Sequence, residues 1–372
     1  MSLDRNGPET RVKSGATHGP GRGIAEPWRI VMIDPLSDSA QRVFLDQMPG
    51  NEFTFECPST SDPDELLKQV RGAHALLTRR HVVTADLIAA AGPDLRVVQI
   101  HGHFPDRVDL EAARRAGVMV AVMPSKGAIA VAEHAMGLML AFAHKIVPGH
   151  RGVVSGAYRE RGLQPARTTE TEIAFNWLGY PDLFELYEKT LGIVGFGEIG
   201  YELARRARSF DMRVLFHTRR PIAEGLVAPL DLRRVPLDEL LRESDFVTLH
   251  APHTPQTERL MDAETLSLMK PTAYLINTSR GGLVDEAALV AALREGRLAG
   301  AGLDVFSDEP LSDTHPLLAL DSVVLTPHVA AGASGGQRVH ARESLENVAR
   351  AFRGEPMRHR LDDVYQSVRL AM

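Results

Sequence analysis

Three glycines in a short apolar segment have the spacing that binds the phosphates of a dinucleotide. Gly195, Gly197 and Gly200 form the pattern G-x-G-x-x-G, with an apolar run before them and an amphipathic pattern after them. We therefore predict a strand, a tight turn and a helix whose free N–H groups favour phosphate. The first glycine allows the turn, the second lets a pyrophosphate approach, and the third lets the helix pack on its strand. The cofactor contacts predicted in this turn are Gly195, Phe196, Gly197, Glu198, Ile199 and Gly200.

Polar loops follow four later apolar segments of the chain. Strands are predicted at 245–250, 273–277, 300–305 and 323–326. Because the carboxyl ends of parallel strands meet at one edge of a sheet, their loops converge on the ligand crevice. The residues that we expect around a bound nicotinamide are Arg280, Asp304, Glu309 and His328.

The strand predicted at 212–216 does not end in an acidic residue. In dinucleotide-binding folds, such an acid accepts hydrogen bonds from the ribose hydroxyls of NAD. Here the ribose position is taken by Thr218, followed by Arg219 and Arg220. Guanidinium groups supply fixed charge and paired donors to a 2′-phosphate. We therefore expect a preference for NADP(H), with NAD(H) possible if both arginines are simply solvated.

A loop with two histidines follows the strand predicted at 95–100. His101, His103 and Asp106 lie within six residues and are of metal-binding types. No second group of such residues lies close by in the sequence, so we expect a loop that turns the chain and no bound metal.

The order of segments indicates an α/β fold. Strands predicted at 28–33, 73–78, 95–100 and 118–122 alternate with helices at 39–48, 85–91 and 110–116. This alternation is typical of parallel sheets with crossover helices. A long apolar helix is expected at 128–146. The segment 147–189 follows with little periodicity, and we interpret it as a surface excursion or part of an interface.

Composition narrows the class of protein. The chain has 372 residues, more than one core usually holds, and a net charge of −6 without a basic block, which argues against nucleic-acid binding. Cys57 is the only cysteine, which fits a reducing, cytoplasmic setting. The apolar stretch 128–142 contains Glu133 and His134 and is too short to cross a bilayer, so no membrane partner is expected. Residues 1–27 are interpreted as a flexible tail.

At these loops the chain resembles the D-2-hydroxyacid dehydrogenase family, and within it the glyoxylate and hydroxypyruvate reductases. The matching segments are Asp106–Asp109, Val131–His134, Gly195–Gly200, Ser244–Pro252, Met269–Pro271, Ile276–Asp285, Ala301–Phe306, Glu309–Pro310 and Thr326–His328. The resemblance implies two doubly wound parallel-sheet domains, with a Rossmann cofactor domain inserted into a flavodoxin-like substrate domain. The implied boundaries are 28–125 and 327–372 for the substrate domain and 126–326 for the cofactor domain.

The resemblance also implies roles for single residues in the reduction of a 2-keto acid to a D-2-hydroxy acid. Arg280 would clamp the substrate carboxylate and polarise the keto oxygen, His328 would protonate that oxygen, and Glu309 would be the partner of His328. Backbone N–H groups of His103 and Phe104 would hold the other side of the substrate carboxylate. Further implied cofactor contacts are His250, Pro252, Thr257, Thr278, Arg280, Asp304 and His328, with Asp304 on the nicotinamide carboxamide.

Departures from the family leave alternatives open. Thr218 replaces the usual acid, Phe104 stands where many members have glycine, and the segment 147–189 looks longer than usual. Formate dehydrogenases of this fold have an amide at the position of Glu309, and phosphite dehydrogenases have a lysine near His103. Some relatives are corepressors that sense nucleotides. A homodimer is expected through the helix at 128–146, which is apolar on more than one face. The side chain of the 2-keto acid is left open.

Overall fold

The computed structural model describes residues 27–59, 62–172, 175–332 and 335–361. The predicted flexible tail, except Pro27, lies outside these described residues, and so does the end of the chain at 362–372.

The first sheet has five parallel strands in the order β2-β1-β3-β4-β5, which is the flavodoxin-like order. Its strands are β1 (Trp28–Met32), β2 (Phe53–Glu56), β3 (Ala75–Thr78), β4 (Val97–His101) and β5 (Met119–Met123). The helices between them are α1 (Asp38–Leu45), α2 (Pro63–Gln69), α3 (Ala85–Ala91) and α4 (Leu110–Arg115). Successive side chains of the first strand enter different clusters, Ile30 and Met32 on one face and Val31 on the other. Helices therefore cover both faces.

Two helices lead from the first sheet to the second. They are α5 (Lys126–Ala143) and α6 (Ile146–Ser155). The prediction of a single helix over 128–146 is therefore wrong at its C-terminal end. The chain breaks at Lys145, whose φ of 51° lies in the left-handed region, and α6 occupies the start of the segment in which we predicted little periodicity.

The second sheet has seven parallel strands in the order β12-β11-β10-β9-β6-β7-β8. Its strands are β6 (Thr190–Val194), β7 (Arg213–His217), β8 (Arg233–Arg234), β9 (Phe246–Leu249), β10 (Tyr274–Asn277), β11 (Gly300–Leu303) and β12 (Val323–Leu325). The helices along this part are α7 (Glu198–Ser209), α8 (Glu224–Val227), α9 (Leu237–Glu243), α10 (Ala263–Ser267) and α11 (Glu286–Arg294). The strand order reverses between β6 and β9, which is where doubly wound sheets bind ligands.

The last helix, α12 (Gly336–Phe352), returns to the first sheet. Its Ala341, Leu345 and Val348 share an apolar cluster with Ile30 and Phe55. The predicted fold class, a Rossmann sheet inserted into a flavodoxin-like one, is confirmed. The domain boundaries 125/126 and 326/327 stay predictions.

Helix α5 is apolar because the chain itself covers it. Among the described residues it alone is long and apolar enough to cross a membrane by length and composition, and 56% of it is buried within the protein. It packs against α7 and against strands of the second sheet, with Met139 fully buried. Burial within the fold therefore accounts for its apolar character.

Several elements were not predicted from the sequence. They include β2, α2, α6, α8, β8, α9, α10 and α11. The strand β8 has two residues, Arg233 and Arg234, both exposed, so no alternating apolar pattern marks it. Such elements form because a neighbouring strand offers its hydrogen bonds, here Leu215 and Phe216 of β7.

Candidate active site

The glycine turn joins β6 to α7 as predicted, and two of its glycines are required by close contacts. Gly195 has a φ of 91°, and a Cβ there would lie 2.7 Å from the Cα of Ala251 in the loop after β9. A Cβ on Gly200 would lie 2.9 Å from the carbonyl oxygen of Gly195. These glycines let the turn, the helix and the neighbouring strand approach one another.

Gly197 has a different environment that fits a phosphate. A Cβ there would meet nothing within 4 Å, so the space outside the turn is open. Gly197 caps α7 without a side-chain hydrogen bond, which leaves the first N–H groups of α7 available to an anion. Phe196, in contrast, is buried against Phe216, with 4.4 Å between the ring centroids, so only its backbone is available to a ligand.

Two buried polar atoms at the neighbouring strand ends have no hydrogen-bond partner in the described structure. They are Nδ1 of His250, after β9, and the hydroxyl of Thr278, after β10. Burial lowers the pKa of His250 to about 3, so its ring is neutral, and its Nε2 bonds the Thr248 hydroxyl at 2.9 Å. Because unpaired buried polar groups cost free energy, these atoms fit the polar groups of a bound dinucleotide.

The loop after β9 is held by its own side chains. The hydroxyl of Thr257 donates to the carbonyl oxygen of Pro252 at 2.7 Å and accepts from the N–H of Thr254 at 2.8 Å. Both predicted cofactor contacts in this loop therefore also fix its shape.

The end of β7 carries Thr218, Arg219 and Arg220 to the side of the glycine turn. Both arginines are exposed. Arg220 lines a small cavity of about 70 Å³ together with Gly197 and Glu198, and Arg219 is not among its lining residues. Arg234 of β8 donates to the carbonyl oxygen of Thr218 at 2.7 Å and adds a third cation to this corner. Of the two predicted arginines, Arg220 is thus nearer to the dinucleotide turn.

Arg280 stands on a turn that side chains fix in place. The amide of the buried Asn277 donates to the carbonyl oxygen of Arg280 at 2.9 Å and accepts from the N–H of Ser279 at 3.0 Å. Ser279 donates to the carbonyl oxygen of Ala251 at 2.7 Å, which ties this turn to the loop after β9. A Cβ on Gly281 would overlap the carbonyl carbon of Phe306, so glycine is needed for the loops after β10 and β11 to touch.

His328 and Glu309 form a hydrogen-bonded pair. Nδ1 of His328 lies 2.6 Å from Oε2 of Glu309, and the side chains are 47% and 35% exposed. The hydrogen bond from His328 lowers the pKa of Glu309, so this carboxyl group stays ionised to a pH below its usual titration range. The N–H of Phe306 donates to the other oxygen of Glu309 at 3.0 Å. Because Nδ1 is engaged, Nε2 is the ring atom left to exchange a proton with a ligand.

Asp304 is buried beneath this pair. Its carboxylate accepts from the Thr326 hydroxyl at 2.6 Å and from the N–H groups of Val329 and Ala330, each at 2.9 Å. Nε2 of His134, on α5, bonds the same hydroxyl at 3.0 Å. Asp304 therefore holds the loop that carries His328, whereas the sequence analysis assigned it only a contact with the cofactor.

The structure brings the three predicted catalytic residues to one cavity. Arg280, Glu309 and His328 line a space of about 640 Å³, together with Gly281, Phe306 and Ser307. His253 and Arg259 also line this space, and His253 pairs with Glu258. A cation, a carboxylate and an imidazole facing one space can bind an anion and move a proton beside it.

The predicted substrate loop lies elsewhere. Phe104 lines the small cavity near Gly197, and neither His103 nor Phe104 lines the cavity of Arg280. The N–H of His103 donates to the carboxylate of Glu198, and its imidazole bonds the buried Glu202 at 2.5 Å. The structure therefore places this loop against α7 and does not bring it to the catalytic residues.

Comparison with known proteins shows the family of this chain. The family model for the NAD-binding domain of D-isomer specific 2-hydroxyacid dehydrogenases matches residues 136–330. The chain is 40% identical over 297 residues to a glyoxylate reductase of Pyrococcus furiosus, an alignment that covers 78% of this chain and 83% of that protein. The chain belongs to the D-2-hydroxyacid dehydrogenase family.

Two further relatives extend this finding. A D-3-phosphoglycerate dehydrogenase of Methanocaldococcus jannaschii is 34% identical over 88% of this chain and 58% of its own length. The crystal structure of a glyoxylate reductase from Paecilomyes thermophila is 26% identical, covers 91% of this chain and 99% of its own, and has a TM-score of 0.51. As a D-2-hydroxyacid dehydrogenase, the chain is an oxidoreductase that uses a nicotinamide cofactor.

Several residues that shape the site of this D-2-hydroxyacid dehydrogenase had no role in the sequence analysis. Asn277 and His134 fall inside the motifs of the resemblance, so their positions were visible although their contacts were not. Glu202 follows Glu198 by one helical turn, and this spacing on a predicted helix indicated that both face the same side.

The close contact at Gly281 predicts a specific defect. In Gly281→Ala the new methyl group overlaps the backbone of Phe306, so the loops of Arg280 and Glu309 must separate. We expect a lower melting temperature, consistent with an overpacking cost of about 1–3 kcal/mol, and loss of turnover. The control is Gly137→Ala in α5, where a Cβ meets nothing within 4 Å. Equal behaviour of the two variants in thermal unfolding and activity would contradict this account.

Proposed function

We propose that this dehydrogenase reduces a 2-keto acid to a D-2-hydroxy acid, and catalyses the reverse reaction, with NADP(H) preferred over NAD(H). The observation that carries the proposal is the cavity shared by Arg280 and the His328–Glu309 pair. The names of its relatives make glyoxylate the first substrate to test. The single cysteine supports a cytoplasmic location.

Arg280 would bind the substrate. Its guanidinium group donates to the carbonyl oxygen of Ser279 at 2.6 Å, and its remaining donors are free to form a paired contact with a carboxylate. The same positive charge stabilises the negative charge that develops on the keto oxygen during reduction.

His328 would supply the proton. The bound cofactor supplies the hydride, and the oxygen that becomes an alkoxide needs an acid within hydrogen-bond reach. Glu309 accepts from Nδ1 and so holds the ring with Nε2 toward the cavity. Because the pKa of Glu309 is lowered, its negative charge is present beside the imidazole at neutral pH.

The cofactor would be held along the ends of β6, β7, β9 and β10. We assign the pyrophosphate to the turn from Gly195 to Gly200, with the open space outside Gly197. The unpaired polar atoms of His250 and Thr278 would meet the cofactor, and the hydrogen-bonded Pro252–Thr257 loop would flank it.

The Glu309–His328 pair also separates this proposal from its alternatives. Oxidation of formate needs no proton relay, so an ionised carboxylate hydrogen-bonded to the histidine favours keto-acid reduction over formate oxidation. Nothing in the described residues favours a phosphite dehydrogenase or a corepressor over it.

Substitution of the two central residues tests the reaction. Arg280→Lys keeps the charge and loses the forked donor, so we expect at least a tenfold lower kcat/KM with glyoxylate. His328→Ala should lower kcat by roughly 100-fold or more, while NADPH still binds in a fluorescence titration. Turnover of the His328 variant at the wild-type rate would refute the role of proton donor.

The pH profile tests the hydrogen-bonded pair. A carboxyl group with a lowered pKa stays ionised as pH falls to below its usual range, so the negative charge of Glu309 lies beside the proposed acid throughout the neutral range. Glu309→Gln removes this charge, and a nearby negative charge favours the protonated form of a neighbouring acid. The limb of the pH–rate profile for reduction that reports the acid should move to lower pH, and an unmoved limb would reject the pairing.

Cofactor preference tests the roles of the two arginines that follow β7. Arg220 lines the cavity beside Gly197 and Arg219 does not, so we expect Arg220→Ala to reduce the ratio of kcat/KM for NADPH over NADH by roughly tenfold. Arg219→Ala is the matched control and should reduce the ratio less. The preference should shrink with added salt because the contact is exposed. A wild type that prefers NADH would show that both arginines only face solvent.

A homodimer remains part of the proposal, but its support moves from α5 to α6. Large apolar side chains are exposed along α6 and on the segment that follows it, namely Ile146, Val153, Val154, Phe175 and Trp177. Tyr180 bonds the carbonyl oxygen of Pro148 at 2.7 Å, which fixes this segment against α6. An exposed apolar patch of this kind is typical of a protein interface.

Light scattering tests the dimer. We expect the wild type to be dimeric at micromolar concentration and Val154→Asp, at a side chain that is 73% exposed, to dissociate. The control Leu318→Asp lies at an exposed apolar site outside this patch and should stay dimeric. A monomeric wild type would end the proposal.

A further inference from the structure

A carboxylate of the chain itself occupies the loop that we assign to the substrate carboxylate. The N–H of His103 donates to both side-chain oxygens of Glu198, at 2.7 and 2.9 Å. The preceding Gly102 has a φ of 139°, and a Cβ there would overlap Oε1 of Glu198. This short loop therefore forms a recess that accepts a carboxylate and that any residue larger than glycine would fill.

Glu198 reaches this recess from the other sheet. It is the first residue of α7 and follows Gly197 directly, yet its side chain turns away from the glycine turn and bonds the loop after β4. Burial raises the pKa of Glu198 to about 7, so its ionised form is less stable in this recess than in water.

Another glutamate of α7 holds the same loop without using the same donor. Glu202 is buried, accepts from the imidazole of His103 at 2.5 Å, and forms ion pairs with Arg205 and Arg206. Burial by itself would raise the pKa of Glu202, but the hydrogen bonds from His103 and Arg206 outweigh it and lower the pKa to about 2. This contact uses the side chain of His103, so it does not compete for the backbone N–H.

We propose that Glu198 is an internal competitor of the substrate, whose carboxylate keeps the N–H of His103 occupied until the carboxylate of the 2-keto acid displaces it. The inference rests on the proposed function and on the family resemblance, which implies that this N–H and Arg280 bind two sides of one carboxylate. Because one donor cannot serve both anions, the Glu198 contact lowers substrate affinity. It also keeps the loop at α7, away from the cavity of Arg280, until substrate arrives.

The test is calorimetric titration of the full-length enzyme with oxalate. Oxalate is a carboxylate analogue of the substrate, and the enzyme cannot reduce it. Titrations at saturating NADPH and without cofactor separate an effect on oxalate from an effect on cofactor binding. We expect Glu198→Ala to bind oxalate at least fivefold more tightly than the wild type in both series. Glu198→Gln, which loses only the charge, should show a smaller gain and remains informative if the alanine variant does not fold.

The control is Glu202→Gln, which weakens the anchor of the loop but leaves the N–H of His103 occupied by Glu198. It should not bind oxalate more tightly. If Glu198 only holds the loop in place, Glu198→Ala and Glu202→Gln should both bind oxalate no more tightly than the wild type. That result would overturn the inference. An equal gain in oxalate affinity in Glu198→Ala and Glu202→Gln would also overturn the inference, because loosening of the loop would then explain the gain.

Arg280→Ala separates failure of this inference from failure of the proposed function. Loss of oxalate binding in Arg280→Ala, together with no gain in Glu198→Ala, overturns the inference and leaves the proposed function standing. Oxalate binding by Arg280→Ala at the wild-type affinity, or no turnover of any 2-keto acid by the wild type, would overturn both.

Discussion

The position of His328, the proton donor that we propose, depends on one buried carboxylate. The Asp304 carboxylate accepts hydrogen bonds from one hydroxyl and two backbone N–H groups of the loop after β12, and its side chain is fully buried. A buried acceptor must find its donors within the protein, so this loop has one favourable arrangement. In that arrangement His328 has a φ of 53°, which a residue with a side chain adopts only when its surroundings require it. The contact between His328 and Glu309 is thus a consequence of Asp304.

A close approach of two backbones brings Arg280, the residue that we propose to bind the substrate, to the same cavity as His328. Neighbouring parallel strands put their loops side by side, but they do not by themselves make the loops touch. Gly281 removes the side chain that would separate the loop after β10 from Phe306. The amide of Asn277 then closes the turn that carries Arg280. Arg280 and Glu309 come from different strands, and it is this contact that lets them line one cavity.

The sequence predicts those features whose cause is local. The glycine turn and the strand ends that carry Arg280, Asp304 and His328 were visible because apolar periodicity and glycine spacing act within a few residues. The strand β8 was not visible, because a two-residue strand owes its existence to its neighbour. The loop of His103 could be placed after its strand, but its contacts with Glu198 and Glu202 join residues almost 100 positions apart. No local pattern specifies such a pairing.

Four polar residues at the carboxyl edge of the second sheet separate into two kinds. Asp304 and Asn277 hydrogen-bond within the protein, and each of them shapes a loop that carries a side chain of the proposed active site. His250 and Thr278 lie at the same edge of the sheet, and each has one buried polar atom without a partner among the described residues. An unpaired buried atom costs free energy unless a ligand satisfies it. Asp304 and Asn277 therefore position Arg280 and His328, and the unpaired atoms of His250 and Thr278 support the cofactor position that we propose.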